Sequence, residues 1–144
     1  MRIASLLQSK GTFVATIGPG QTLEEVLAAL AEHGVGALVV TDDGEHITGI
    51  VSERDVVRAL HRRGVEVLTE PVSAVMTAEV RTCTPGETIE ALMALMTEQR
   101  IRHVPVVEED RLAGIVSIGD LVKQRMGELE RENSAIVEYI QTGR

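Results

Sequence analysis

Two short runs of the sequence, Gly49-Ile50-Val51-Ser52-Glu53-Arg54-Asp55 and Gly114-Ile115-Val116-Ser117-Ile118-Gly119-Asp120, each place a serine three residues before an aspartate. If the serine opens a helix, its hydroxyl accepts an orphan backbone N–H and the acid favours the positive end of the helix dipole, which is a capping role. The same arrangement also suits a ligand. A helix N-terminus with a hydroxyl accommodates phosphate, Arg54 adds a bidentate cation, and an aspartate nearby accepts hydrogen bonds from two vicinal ribose hydroxyls. Spacing alone leaves both roles open for Ser52, Asp55, Ser117 and Asp120.

The elements that must position these residues come from an internal repeat. Pro19-Gly20-Gln21-Thr22-Leu23-Glu24 is answered by Pro85-Gly86-Glu87-Thr88-Ile89-Glu90 at an offset of 66, and the two serine runs are offset by 65. The lost residue falls between Thr41 and Gly49, in a polar turn containing Asp43-Gly44, where length can change without disturbing a core. In each copy a Pro-Gly turn leads to a threonine N-cap, Thr22 with Glu25 as its capping-box partner in the first. Leu23, Val26, Leu27 and Leu30, and then Ile89, Leu92, Met93 and Met96, follow at helical spacing. Runs 37–40 and 47–51 read as strands around a turn, with 104–107 and 112–116 as counterparts. Second helices follow at 53–61 and from Ile118 onward. Each unit reads as β-α-β-β-α, and one unit alone leaves apolar sheet area uncovered, so two sheets are expected to pack together. The connection is placed at 62–71. Beyond Lys123 the helix is expected to continue, with a break at Gly127, as a packing or dimer-contact element.

Composition narrows the function classes. The 144 residues carry 14 Lys and Arg against 22 Asp and Glu, a net charge of −8, and the only aromatics are Phe13 and Tyr139. A surface that stacks single-stranded nucleic acid needs rings and a basic groove, so nucleic-acid binding is disfavoured. Cys83 is the sole cysteine, which excludes an internal disulfide or a thiolate zinc cluster, and it reads as a buried strand residue. His33 and His46 lie near turns without metal-ligand spacing. Arg58, Arg62, Arg63 and Arg100 read as solvated helix faces. Neither a signal peptide nor a membrane-length apolar run is evident, so a cytoplasmic protein is expected.

The duplicated Gly-hydrophobic-hydrophobic-Ser-x-x-Asp signature resembles that of the cystathionine beta-synthase (CBS) domain, here as a tandem pair. Val75-Met76-Thr77 with Val80, Thr82 and Pro85, and Arg102-His103-Val104-Pro105-Val106, add to the resemblance. It implies a mixed α/β (α+β) fold of two CBS repeats packed as a pseudo-two-fold module, with domains at 12–66 and 72–126 and a helical tail at 127–144. It further implies two clefts between the repeats that bind adenosine compounds such as AMP, ATP, NAD or S-adenosylmethionine. By that resemblance Ser52 and Asp55 belong to one cleft, and Ser117 and Asp120 to the other. Each Asp takes the ribose and each Ser sits near the first phosphate. Thr16 with Ile17, and Thr82 with Cys83, line the adenine slots, which Leu38 and Val39, or Val104 and Pro105, close.

The copies differ. Gly119 stands where the first copy has Arg54, and Gly36-Ala37 stand where the second has Arg102-His103. Because family clefts cross the repeat interface, Arg54, Arg102 and His103 are expected near phosphates. The leading reading is a non-enzymatic adenine-nucleotide sensor that needs no cofactor, pairs as a homodimer, and acts on an unidentified regulated protein. The dimer contact is expected on Val56, Val57, Leu60, Leu121 and Val122. The alternatives are a structural dimerisation module with empty clefts, or an enzyme that hydrolyses nucleotide.

Overall fold

The helices of both copies begin where a hydroxyl meets the first free N–H groups. The Thr22 and Thr88 hydroxyls accept from Glu25 N at 3.2 Å and Ala91 N at 3.1 Å, capping two helices whose apolar residues face one way. In the computed structural model, which describes residues 1–142, the order is α1 (Ile3–Lys10), β1 (Thr16–Ile17), α2 (Leu23–His33), β2 (Ala37–Val40), β3 (Gly49–Ser52) and α3 (Glu53–Arg63). Two 3-10 turns, Val65–Thr69 and Val72–Ala74, lead to α4 (Ile89–Gln99), β4 (His103–Glu108), β5 (Arg111–Ser117) and α5 (Ile118–Thr142).

The first sheet runs β1-β2-β3, parallel then antiparallel, and the second pairs β4 with β5 antiparallel. A parallel bridge from Cys83 to Val106 stands where β1 pairs with β2 in the first copy. The duplicated β-α-β-β-α pattern is therefore realised as a mixed α/β fold. Residues 143 and 144 of the expected tail lie outside the described residues.

Three features differ from the expectations. An additional helix, α1, precedes the first repeat. Gly127 does not break α5, because its flanks are helix formers and one glycine costs only about 1 kcal/mol. The buried side chains form two clusters rather than one shared sheet-on-sheet core. The first contains Leu23, Val26, Leu38, Val51 and Val56 with Val67 from the connection and Val72 from the turn just after it. The second contains Leu92, Val104, Val116 and Leu121 with Ile3, Leu6 and Leu7 from α1. The uncovered sheet area anticipated for a single unit is thus covered by short flanking segments.

Those flanking segments are exchanged. The turn opening the first repeat bonds to the connection, through Leu23 N to Glu70 O at 3.1 Å and Val72 N to Gln21 O at 2.7 Å. The turn opening the second repeat bonds to the chain start, through Ala4 N to Pro85 O at 2.9 Å and Ile89 N to Met1 O at 3.0 Å. Between the repeats, Thr77 pairs with the outer edge of β3 at Ile50, with both N–H···O contacts at 2.9 Å, and Leu112 N donates to Glu45 O at 2.7 Å. The polar turn at Glu45 closes on Asp43, whose Oδ1 accepts from Glu45 N and His46 N at 2.8 Å while Oδ2 meets His46 Nδ1 at 2.6 Å.

Candidate functional site

Ser52 ends β3 and caps α3 with a complete capping box. Its hydroxyl accepts from Asp55 N at 3.3 Å and donates to Asp55 Oδ2 at 3.0 Å, while Ser52 N donates to the same oxygen at 2.8 Å. The capping role is therefore real. It engages one carboxylate oxygen; no hydrogen bond reaches Asp55 Oδ1 among the described residues, so an acceptor stays open toward the neighbouring space.

That space is a cavity of about 830 Å³ at the seam of the repeats. The first repeat contributes Gly36, Ala37, Ile50, Ser52, Glu53, Arg54, Asp55, Val57 and Arg58. The opening segment of the second repeat adds Thr77, Glu79, Val80 and Arg81, and its later part adds Gln99, Arg100, Ile101, Arg102 and His103. Arg54, Arg58, Arg81, Arg100 and Arg102 outnumber Glu53, Asp55 and Glu79 in a chain whose net charge is −8. None of these five arginines makes a salt bridge or side-chain hydrogen bond among the described residues, so their donors are open to an anion.

His103 stands at the middle of the seam. A Cβ at Gly36 would lie 2.7 Å from Glu53 Oε1 and 3.2 Å from the imidazole, so the bare glycine lets both side chains sit close to the strand. Burial pushes the His103 imidazole below its usual pKa, against the pull of Glu53 and Asp120 and with help from Arg102 and Lys10.

The second motif has the same cap and a different occupant. Ser117 N donates to Asp120 Oδ2 at 2.8 Å, and Asp120 N donates to Ser117 Oγ at 3.2 Å. Lys10, at the end of α1, places its ammonium 2.7 Å from the same Oδ2 and 2.6 Å from Ile115 O. In the first repeat the matching carbonyl, Ile50 O, receives a backbone N–H from Thr77 instead. Burial alone would raise the Asp120 carboxyl, but hydrogen bonds from Lys10 and Ser117 outweigh it and hold it below the ordinary carboxylate range.

Of the residues expected at a ligand, Ser52, Arg54, Asp55, Arg102 and His103 meet in the cavity. Ser117 and Asp120 form the separate Lys10 cluster. The other expected residues do not line this cavity. Leu38, Val39 and Val104 are buried within their strands, as is Ile17, while Thr16 and Thr82 are exposed. Pro105 is buried, and its carbonyl accepts from Cys83 N at 3.0 Å. Burial, with a smaller contribution from Glu87, pushes the Cys83 thiol up to about 12.

Sequence reasoning missed Thr77, Glu79, Val80 and Arg81 as cavity residues, and it read Arg58 and Arg100 as solvated faces. One signal was present at Arg100. Gly34 ends α2 in the left-handed conformation (φ 62°, ψ 38°), and 66 residues on Arg100 ends α4 in the same conformation (φ 54°, ψ 43°). An arginine where the other copy uses glycine accepts backbone strain to place a cation at the cavity.

Comparison with known proteins agrees with this architecture. The family model of the CBS domain matches residues 12–62 and again 72–127. A mitochondrial CBS domain-containing protein of Arabidopsis thaliana is 37% identical over 126 residues, which cover 85% of this chain and 61% of that protein. The chain thus spans about three-fifths of that relative. The crystal structure of a CBS-domain containing protein from Agrobacterium tumefaciens shares 45% identity and a TM-score of 0.84, covering 87% of this chain and 99% of that one. A CBS domain pair solved in complex with 5′-methylthioadenosine and S-adenosyl-L-methionine has a TM-score of 0.79 at 22% identity, covering 89% of this chain and 98% of that one, a likeness of fold. With two matched copies, the strand order of each and the Ser-x-x-Asp cap at both motif helices, the chain belongs to the CBS domain family.

Proposed function

We propose that this chain is an adenine-nucleotide-binding regulatory module, a sensor whose clefts report an AMP-, ATP- or NAD-type ligand to a regulated protein through a homodimeric assembly. The observation that carries the reading is the meeting of Asp55, with an open carboxylate oxygen, and five unpaired arginines in one cavity of about 830 Å³. The carboxylate suits a ribose diol, and the helix N-terminus at Ser52 with the arginines suits phosphate. Aliphatic Ile50, Val80 and Ile101 offer flat contact to a base without aromatic rings. The module binds and releases its ligand without turnover.

The two clefts are unequal. The Asp55 cleft is the primary site, because Lys10 forms an ion pair with the capping oxygen of Asp120, whereas Asp55 has no ion-pair partner among the described residues. Titration calorimetry with AMP, ATP and NAD tests the reading. The expected result is saturable binding of at least one of them at one site per chain. In Asp55→Ala, loss of hydrogen bonds to a charged group, about 1.5–3 kcal/mol, weakens binding roughly ten- to hundredfold. Unchanged affinity in a folded Asp55→Ala protein would remove Asp55 from the site. Absence of binding by all three ligands would leave the dimerisation reading in its place.

A further inference from the structure

The last helix is longer than the fold requires. Leu121 is buried in the second core, yet α5 continues to Thr142. Along that extension Val122, Met126, Leu129, Asn133, Ile136 and Ile140 recur at alternating steps of four and three. This is the heptad seam of a coiled coil, not the broader stripe of a helix lying on a globular core. Its five apolar members are 49–70% exposed, so nothing among the described residues of a single chain covers them.

The polar residues along the seam say what does. In heptad terms Met126, Asn133 and Ile140 occupy a positions, and Val122, Leu129 and Ile136 occupy d positions. A lone asparagine at a specifies a parallel, in-register pair, because the two amides then meet and satisfy one another across the axis. Charge points the same way. In a parallel pair, Arg125 at g faces Glu130 at e of the second copy, and symmetry repeats the contact. An antiparallel pair centred on the seam instead brings Glu130 against Glu130 or Glu132 against Glu132, and sets each Asn133 beside an aliphatic residue. Among the described residues of one chain Arg125 makes an exposed contact to Glu128 at 3.1 Å, a weak pair that is readily exchanged.

We propose that residues 122–140 of α5 form a parallel two-stranded coiled coil with a second copy of this chain. The proposal rests on the homodimeric part of the functional reading and names its surface; it is independent of which nucleotide binds. The expected contact on the second helices changes accordingly. Val56 and Leu121 are buried in their own repeats, leaving Val57 and Val122 exposed.

Sedimentation of the full chain and oxidative cross-linking test it. Asn133→Cys is expected to give a covalent dimer under mild oxidation, whereas Ala135→Cys, on the outer face of the helix, gives none; buried Cys83 does not compete. Leu129→Asp with Ile136→Asp is expected to convert the dimer to a monomer with unchanged helical-sheet circular dichroism apart from the tail. A dimer that survives the double substitution would overturn the coiled coil while leaving a homodimer through the body. A wild-type monomer would overturn both. A dimer that cross-links at Ala135→Cys and not at Asn133→Cys would overturn the parallel seam.

Discussion

Asp55 and Asp120 each commit Oδ2 to the cap of the following helix, which is why capping and ligand binding were indistinguishable in the sequence: both roles use the same residues at the same spacing. The two aspartates differ in their neighbours: Asp55 lines the cavity, while Asp120 is paired with Lys10. His103 shows how such neighbours act. Its imidazole is held below its usual pKa chiefly by burial, so it is neutral in the free protein near pH 7. Folding therefore costs protons here, and this contribution to stability is present above pH 6.5 and lost as pH falls below it. A phosphate brought alongside favours the imidazolium, so ligand binding should take up protons and tighten as pH falls from 7 toward 6. Calorimetric heats measured in buffers of different ionisation enthalpy should reveal that uptake, and His103→Gln should abolish it. Equal uptake in both proteins would place the anion away from His103.

Among the elements, the helices and strands were legible because hydroxyl caps and apolar spacing agree on where each begins. The capping box expected at Thr22 forms only by half: Glu25 N reaches Thr22 Oγ1, but the Glu25 carboxylate takes Gln21 Nε2 at 2.7 Å. Helix ends were less legible, since left-handed termini are assigned to glycine by default and α4 uses Arg100. That exception yields a trade-off. Arg100→Gly should stabilise the fold by about 1 kcal/mol, by relieving a left-handed residue, while weakening a phosphate-bearing ligand tenfold or more. Urea melts and calorimetry measure the two halves. A stability gain with no loss of affinity would show that the strained cation serves something other than the ligand.

At the scale of the whole molecule, the offset between motif blocks announced the duplication, and the paired sheets and matched turns follow from it. The aligned blocks also showed residue differences such as Gly119 against Arg54, but not the difference that lies ahead of the first block. Helix α1 has no motif of its own; its counterpart is the short turn at Val72–Ala74, so similarity between copies passes over it. Through Lys10 it gives Asp120 an ion pair that Asp55 lacks among the described residues. Lys10→Ala should free the Asp120 carboxylate and raise the calorimetric stoichiometry from one ligand per chain to two. Two sites in the wild type, or a single site in the variant, would show that Lys10 does not control the second cleft.

The exchange of flanking segments carries a consequence for how such a chain can be divided. The first core is completed by Val67, from the connection, and Val72, at the very start of the second match, and the second by Ile3, Leu6 and Leu7, which precede the first match. The unit that was copied is therefore not the unit that folds. A cut drawn at the family boundaries would strip the later half of its lid and give that lid to the earlier half, where it has nothing to cover. The pair behaves as two hands clasped at the wrists: either can be recognised by itself, but neither can let go without the other opening.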